Sequence, residues 1–292
     1  MSRTAVSYAE LGRPIRGPRA LTDDWSRFWH LTYHIARNEF KLRFFGSALG
    51  YVWQLMRPLL LFGVLYVFFT KVAHVNKEVG PGAKFYGAQL LGSIVLFTFF
   101  AEATGGAVRS VVDRENLVRK IQFPRMVIPL SVVMLALFNL TLNLVVVLGF
   151  ALLEGVRPML SWLELPLIVG MLAVFATGLA MLLSAMFVYF RDMQPIWEVV
   201  TQILFYASPV IISVETVKEK VSEAAFHLYM LNPLAVVFQQ FRHAMINHGT
   251  PSAGQALGSW AALLGPVAIV LAFIALGFWV FNRSAPLVAE NL

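Results

Sequence analysis

Three ionisable side chains stand inside stretches that are otherwise apolar: Arg57, Glu102 and Glu198. A charge held at depth in a bilayer costs a few kcal/mol or more, so it pairs or faces water. Arg57 lies eight residues past Leu49, Glu102 seven before Arg109 and Glu198 six past Asp192. At ~1.5 Å per residue these are matched depths of roughly 9–12 Å from one side. The match predicts that the three meet or line one vestibule. The alternative is three residues that snorkel separately to a nearby interface.

The densest charge falls in Val111–Pro129, VVDRENLVRKIQFPRMVIP, where Arg109, Arg114, Arg119, Lys120 and Arg125 surround Asp113 and Glu115. Leu117, Val118 and Ile121 form one apolar stripe at helical spacing. Asp113 can cap a first turn, Glu115 and Arg119 are an i,i+4 pair, and Pro124 stops the helix. The stretch reads as a short amphipathic helix at a membrane surface, or else as a basic loop that only fixes topology. A second charged site, Arg191–Asp192, reads as structural, with Asp192 capping the next helix.

Other chemistry is thinly represented. His30 and His34 have the i,i+4 spacing of a helical zinc site, but no acidic third ligand accompanies them, and no metal is expected. The chain has no cysteine, which removes disulfides and thiolate metal sites. There is no Gly-Lys pair, hence no phosphate-cradling G-x-x-x-x-G-K-[ST] loop, and no H-E-x-x-H or G-x-S-x-G. The chain does not read as an enzyme, and no cofactor is expected in it.

The elements that position these residues are membrane helices. Of 292 residues 58% are hydrophobic and 13% charged, with mean hydropathy +0.70. A soluble domain carries about a quarter charged residues. Despite the net charge of +7, nucleic acid is not the expected partner, because in a membrane protein the placement of charge matters more than its sum. Residues 1–22 read as a mobile polar tail without a cleavable leader. Residues 23–45 read as an amphipathic interface helix, capped by Asp23 or Asp24. Arg27, His30, His34, Arg37 and Lys41 form its basic stripe; Phe28, Leu31, Ile35 and Leu42 form its apolar one. A transmembrane domain over 49–283 then supplies six spans, at about 49–70, 86–108, 127–153, 165–190, 195–214 and 260–281. Residues 284–292 read as a second cytoplasmic tail.

With the N-terminus inside, 16 of the 23 Lys and Arg fall on the cytoplasmic side and 7 outside, so both termini are expected in the cytoplasm. The loop 215–259 holds a helix that Asn232 caps, that Pro233 opens and that runs to about Ile246. It is too short to span. Leu234, Phe238, Phe241 and Met245 would face the outer leaflet, with Gln239, Gln240, Arg242 and His243 on its polar side. Aromatic faces in the spans, Trp53, Phe62, Tyr66 and Phe69 in the first and Trp197, Phe205 and Tyr206 in the fifth, are candidates to line a translocation path. Packing is the equal alternative for each. Asn139 and Asn143 share a face and suit helix–helix hydrogen bonds.

Several ordered segments resemble a known family: F45-G-S-A-L-G-Y-V-W53 with R57-P-L-L60, N116-L-V-R-K-I-Q-F-P-R125, F190-R-D-M193, S208-P-V210 and L231-N-P-L234 with Arg242. Together they are similar to the membrane (permease) subunit of ABC-2 type polysaccharide exporters, which serve O-antigen, teichoic acid and capsule. Arg57 departs from the neutral residue expected there. The resemblance implies a homodimer with two separate ATPase subunits that bind ATP and Mg, in a bacterial plasma (inner) membrane. It implies that Asp113, Arg114, Glu115, Leu117, Val118, Arg119, Lys120 and Ile121 form a coupling helix docked on the ATPase, and that short helices before the last span shape an external gate. The implied substrate is a glycan on an undecaprenyl-type lipid carrier. An ABC-2 permease for a drug or another lipid is the alternative. A membrane-embedded glycosyl- or acyltransferase and a secondary transporter fit less well, because no loop carboxylate cluster, repeat or midplane charge is evident.

Overall fold

The computed structural model describes residues 25–44, 50–72, 85–115, 123–246 and 250–284. Among the described residues every regular element is helical. In chain order they are α1 Trp25–Phe44, α2 Gly50–Val67 with a π turn Phe68–Val72, α3 Tyr86–Val108, α4 Ser110–Asp113 and α5 Val127–Leu153. A 3-10 turn, Leu160–Glu164, leads into α6 Leu165–Tyr189, followed by α7 Met193–Tyr206. Four short helices follow: α8 Val214–Lys220, α9 Glu223–Met230, α10 Pro233–Ile246 and α11 Ala253–Ala256. A second 3-10 turn, Trp260–Leu263, opens α12 Leu264–Ser284.

Among the described residues five helical segments are long and apolar enough to cross a membrane: Val52–Val72, Tyr86–Val108, Val127–Leu153, Leu160–Tyr189 and Trp260–Ser284. The second is 72% buried, against 11% for the first and 17% for the last, so α3 is the central helix and α2 and α12 face outward. The most extensive helix contact, α6 on α12, has two glycines at its crossing. A Cβ on Gly277 would strike the Gly178 backbone, and one on Gly178 would lie 2.8 Å from the Ile274 nitrogen. Without a hydrophobic drive between helices in lipid, such close backbone approach supplies the attraction.

The expected fifth span, 195–214, is helical over only part of its length. α7 is 14 residues long, about 21 Å, and stops at Tyr206. Pro209 is the reason: it has no N–H and biases Ser208 away from helix. The chain continues in turns, with Val210 N–H bonded to the Ser208 carbonyl at 2.7 Å. Even so, residues 193–212 run from one end of the bundle to the other. Val188, just before α7, packs with Val111 and Met126, while the Ile211 carbonyl accepts from the Tyr86 hydroxyl at the opposite end of α3.

Each end has its own apolar cluster. At the α1 end, Phe28, Val111, Met126, Val127, Val188 and Phe281 pack together. At the α10 end, Val214, Phe226, Met230, Val236 and Leu257 do so. α1 is amphipathic as expected, with Phe28 buried, Leu31 and Ile35 packed against the first cluster and Arg37 and Lys41 exposed. Its caps at 23–24 lie outside the described residues. Leu42 departs from the expected apolar stripe: it is 72% exposed, because no described element covers that side of the last turn.

α5 ends in a Schellman motif. Val156 N–H bonds the Ala151 carbonyl and Gly155 N–H the Leu152 carbonyl, with Gly155 at φ +91°. The motif sets Glu154 beneath the start of α3, where its Oε2 accepts from the Ala88 N–H at 2.8 Å.

A polar cavity and an arginine tie at the α1 end

Three helices each turn one stripe toward a single cavity of 730 Å³. α2 contributes Gly50, Trp53, Gln54 and Arg57, spaced i, i+3, i+4 and i+7. α5 contributes Val132, Leu135, Ala136 and Asn139 at the same spacing. α3 adds Glu102 and Gly106, and Arg43 reaches in from the end of α1. Pro58, buried in α2, removes the N–H that the Gln54 carbonyl would otherwise accept from.

Glu102 is held from two sides. Gln54 Nε2 donates to its Oε1 at 2.9 Å and Asn139 Nδ2 to its Oε2 at 3.0 Å. Interhelical hydrogen bonds in membrane proteins average about 0.6 kcal/mol, so this bridge fixes the carboxylate's position more than it stabilises the bundle. Asn143 Nδ2 in turn donates to the Asn139 carbonyl at 2.9 Å, a bond within α5. Arg57 shares the cavity but makes no ion pair among the described residues. Glu198 does not join them. It is exposed on α7 and accepts from Gln194 at 3.1 Å. Of the three expected charges only Arg57 and Glu102 therefore share the cavity, with Arg43 added from α1, because α7 turns its buried side, with Trp197, toward α3 and carries Glu198 away from it.

Beside the cavity, Arg114 ties three elements. Its Nη2 bonds Glu39 of α1, and its Nη1 reaches the Ile128 carbonyl and Ser131 Oγ of α5, both at 3.4 Å. The pair is partly exposed, with side chains 18% and 31% accessible, so a contribution of about 1 kcal/mol or less is expected. Its effect is positional: it fastens α1 to the exit of α4. Asp113 closes α4 and pairs with Arg109 one turn back at 3.6 Å; the body of the helix it was expected to cap lies outside the described residues. Leu117, Val118, Arg119, Lys120 and Ile121 lie outside the described residues. Arg125, on the far side of that segment, is only 2% exposed, and burial holds its guanidinium below its ordinary pKa. Its Nε and Nη1 meet no hydrogen-bond partner among the described residues.

The aromatic candidates divide. Phe62 and Tyr66 pack on one another, and Phe62 meets Phe150 edge-on at 5.2 Å. Tyr66 stacks on Tyr86, and Phe69 meets Phe68 edge-on. Trp197 is buried, donates to Thr104 Oγ1 at 3.1 Å and leans on Phe100. Phe205 meets Phe97 at 5.0 Å. Trp53 and Tyr206 stay open, 59% and 78% exposed. At the α6–α7 corner, Arg191 lies over the Phe187 ring at 5.9 Å. Asp192 occupies the N-cap position of α7 with helical backbone and makes no capping bond, which corrects the expected cap. A cap needs extended backbone to aim its oxygen at the N–H groups.

Residues 30–246 match the family described as ABC-2 type transporter. The chain belongs to the ABC-2 type transporter family. This ABC-2 chain is also similar to three curated proteins named "O-antigen export system permease protein RfbA". One, from Myxococcus xanthus, is 28% identical over 87% of the chain and 93% of the relative. Two are from Klebsiella pneumoniae: one 27% identical over 88% and 93%, the other 28% identical over 73% and 79%. With its long apolar helices, the chain is a multi-pass membrane protein.

The α10 end of this ABC-2 chain overturns one expectation. α10 starts as predicted: the Asn232 side chain accepts from Leu234 N–H at 3.0 Å and Pro233 is its first residue. Its polar side, however, is largely covered by protein, with Gln239 and Arg242 buried and Gln240 and His243 half-buried. Arg242 is 2% exposed and donates to the carbonyls of Pro209, Val210 and Ile212. Gln239 bonds Glu215 and the Pro251 carbonyl, and Gln240 bonds Glu164. Burial lowers the Arg242 pKa, while Glu215 pulls it back up; burial likewise raises that of Tyr229. Periodicity identified a polar face but carried no sign of what covers it. Sequence reasoning also missed Glu39, Gln54 and Arg43. Glu39 is the one acid in Trp25–Phe44, and Gln54 a polar residue in an apolar run; those were the signals available.

Proposed function

We propose that the chain is the permease subunit of an ATP-driven exporter that moves a lipid-linked cell-envelope polysaccharide across the bacterial plasma membrane. The observation that carries this reading is the set of O-antigen export permeases similar to it over up to 93% of their own length. Their names favour a glycan over a drug as cargo. The lack of any phosphate-cradling loop in the sequence assigns ATP and Mg²⁺ to a separate ATPase. A homodimer with two such ATPases and an undecaprenyl-type lipid-linked glycan completes the working unit.

In this reading the chain passes the membrane six times, with 193–212 as the fifth pass, and the α1 end lies in the cytoplasm with both termini. Its basic segment 111–129 meets the ATPase. Charge on Arg119 and Lys120 would set register against an acidic partner surface, and Leu117, Val118 and Ile121 would seat the contact. The Arg114–Glu39 tie supports the reading, since it links that segment to α1 and the start of α5, so a push on one moves all three. Trp53 and Tyr206, open on this subunit, are the path-lining aromatics that packing leaves free. Helices α8–α11 would form the external gate.

Deleting the gene tests this. Surface polysaccharide should disappear while its lipid-linked form accumulates inside, and a plasmid copy should restore export. Unchanged surface glycan in the deletion strain would sink the reading.

A further inference from the structure

The cavity at the α1 end carries more positive charge than its own residues answer. Arg57 and Arg43 line it with one carboxylate, Glu102. Both oxygens of that carboxylate already accept, from Gln54 and from Asn139. Arg57 stands five residues inside the apolar segment Val52–Val72, about 8 Å along the helix. A guanidinium at that depth needs a counter-charge, and none is supplied among the described residues. Its planar fork suits a phosphate oxygen pair, which a lysine matches less well.

We propose that this cavity docks the phosphate-bearing headgroup of a lipid, with Arg57 as the principal anion ligand and Arg43 as the second. The proposal rests on the exporter reading and assigns a place for the diphosphate linker of its cargo. A lipid headgroup fits better than a free anion for two reasons. The walls are membrane helices α2, α3 and α5, and Val52, Leu60 and Val64, exposed apolar residues of α2, offer a seat for the attached chain. At 730 Å³ the space suits a headgroup. Glu102, held fixed beside the site by two amides, weakens the grip on an anion. That suits a stop on a route, where cargo must also leave.

The test uses the full chain in phosphatidylcholine nanodiscs, titrated with undecaprenyl diphosphate, undecaprenol or inorganic diphosphate, with bound ligand counted by native mass spectrometry. Undecaprenyl diphosphate should bind at least ~10-fold more tightly than the other two, the worth of a charge-assisted contact. Arg57→Gln should lose about that factor and Arg57→Lys, which keeps the charge but not the fork, should lose a smaller part of it. Matching melting temperatures for the three proteins would establish that binding, and not folding, has changed. Equal affinity of Arg57→Gln and the parent, or of undecaprenol and its diphosphate, overturns the site. Inorganic diphosphate binding as tightly as the lipid overturns the lipid assignment. Export measured in the same variants separates the two readings: unchanged lipid binding in Arg57→Gln with export intact removes the site alone. A parent chain that binds no undecaprenyl diphosphate and supports no export removes both.

Discussion

Two arginines, Arg242 at the α10 end and Arg57 at the α1 end, show how one side chain serves opposite ends of this chain. Arg242 is sealed in protein and spends its donors on three backbone carbonyls of the turn that follows α7. Arg57 lines an open cavity and has no ion-pair partner among the described residues. The first arrangement locks a loop, and the second leaves a charge available. The contrast extends to the carboxylates. Glu154 caps a helix start at the α10 end, whereas Glu102 is suspended between two amides in a space that something else can enter. The α10 end is built to hold still, and the α1 end to meet other molecules.

If that contrast is right, the largest loss of stability comes from the sealed arginine. Arg242→Ala leaves three carbonyls without their charged donor and takes the nearby cation from half-buried Glu215. A cost of about 3–5 kcal/mol is expected from the unsatisfied carbonyls, read as collapse of the monodisperse peak or a large fall in melting temperature in detergent. Arg57→Gln should leave the same measurement nearly unchanged. Equal effects from the two would erase the distinction.

An intermediate effect is expected at the glycine crossing, which serves neither end. Gly277→Val has no room against the Gly178 backbone, and neither helix can yield without separating. Overpacking of this kind costs about 1–3 kcal/mol. A melting temperature equal to that of the parent would show that α6 and α12 are not held at this distance.

The smallest effect is the pH response of Glu154. Burial raises its pKa above the ordinary 4.5, against the pull of the Ala88 and Gly87 N–H groups. The folded chain therefore binds that proton more tightly than the unfolded chain. Its stabilising share is full at low pH and declines as pH rises from about 4.5 through the raised value. Glu154→Gln should flatten that decline in a melting series over pH 4.5 to 7. A parent curve that rises over this window instead would reverse the sign.

Much of this was readable in the sequence. The five long helices follow from apolar runs, and α10 from Asn232–Pro233, because both depend on local chemistry. What was not legible depends on partners distant in sequence. The 3.6-residue period predicted a polar side for α10 but could not reveal that Pro209, Val210 and Ile212, some 30 residues away, would cover it. The matched depths of Arg57, Glu102 and Glu198 were real distances along three helices. Rotation about the α7 axis, set by Trp197 packing on Phe100 and Thr104, decided that Glu198 points elsewhere. Asp192 had the right residue type for a cap, but the backbone arrived in the wrong conformation.

In the proposed function, the α1 end receives the work of ATP hydrolysis through segment 111–129. The direct measurement is ATP-dependent movement of lipid-linked glycan into inverted membrane vesicles that contain the chain and its ATPase, with hydrolysis followed in parallel. In a Leu117→Glu, Ile121→Glu double variant, export should fall at least ~10-fold, the scale of losing a buried anchor, while the chain still inserts and the ATPase still hydrolyses. Export at the parent rate in that variant would contradict the claim.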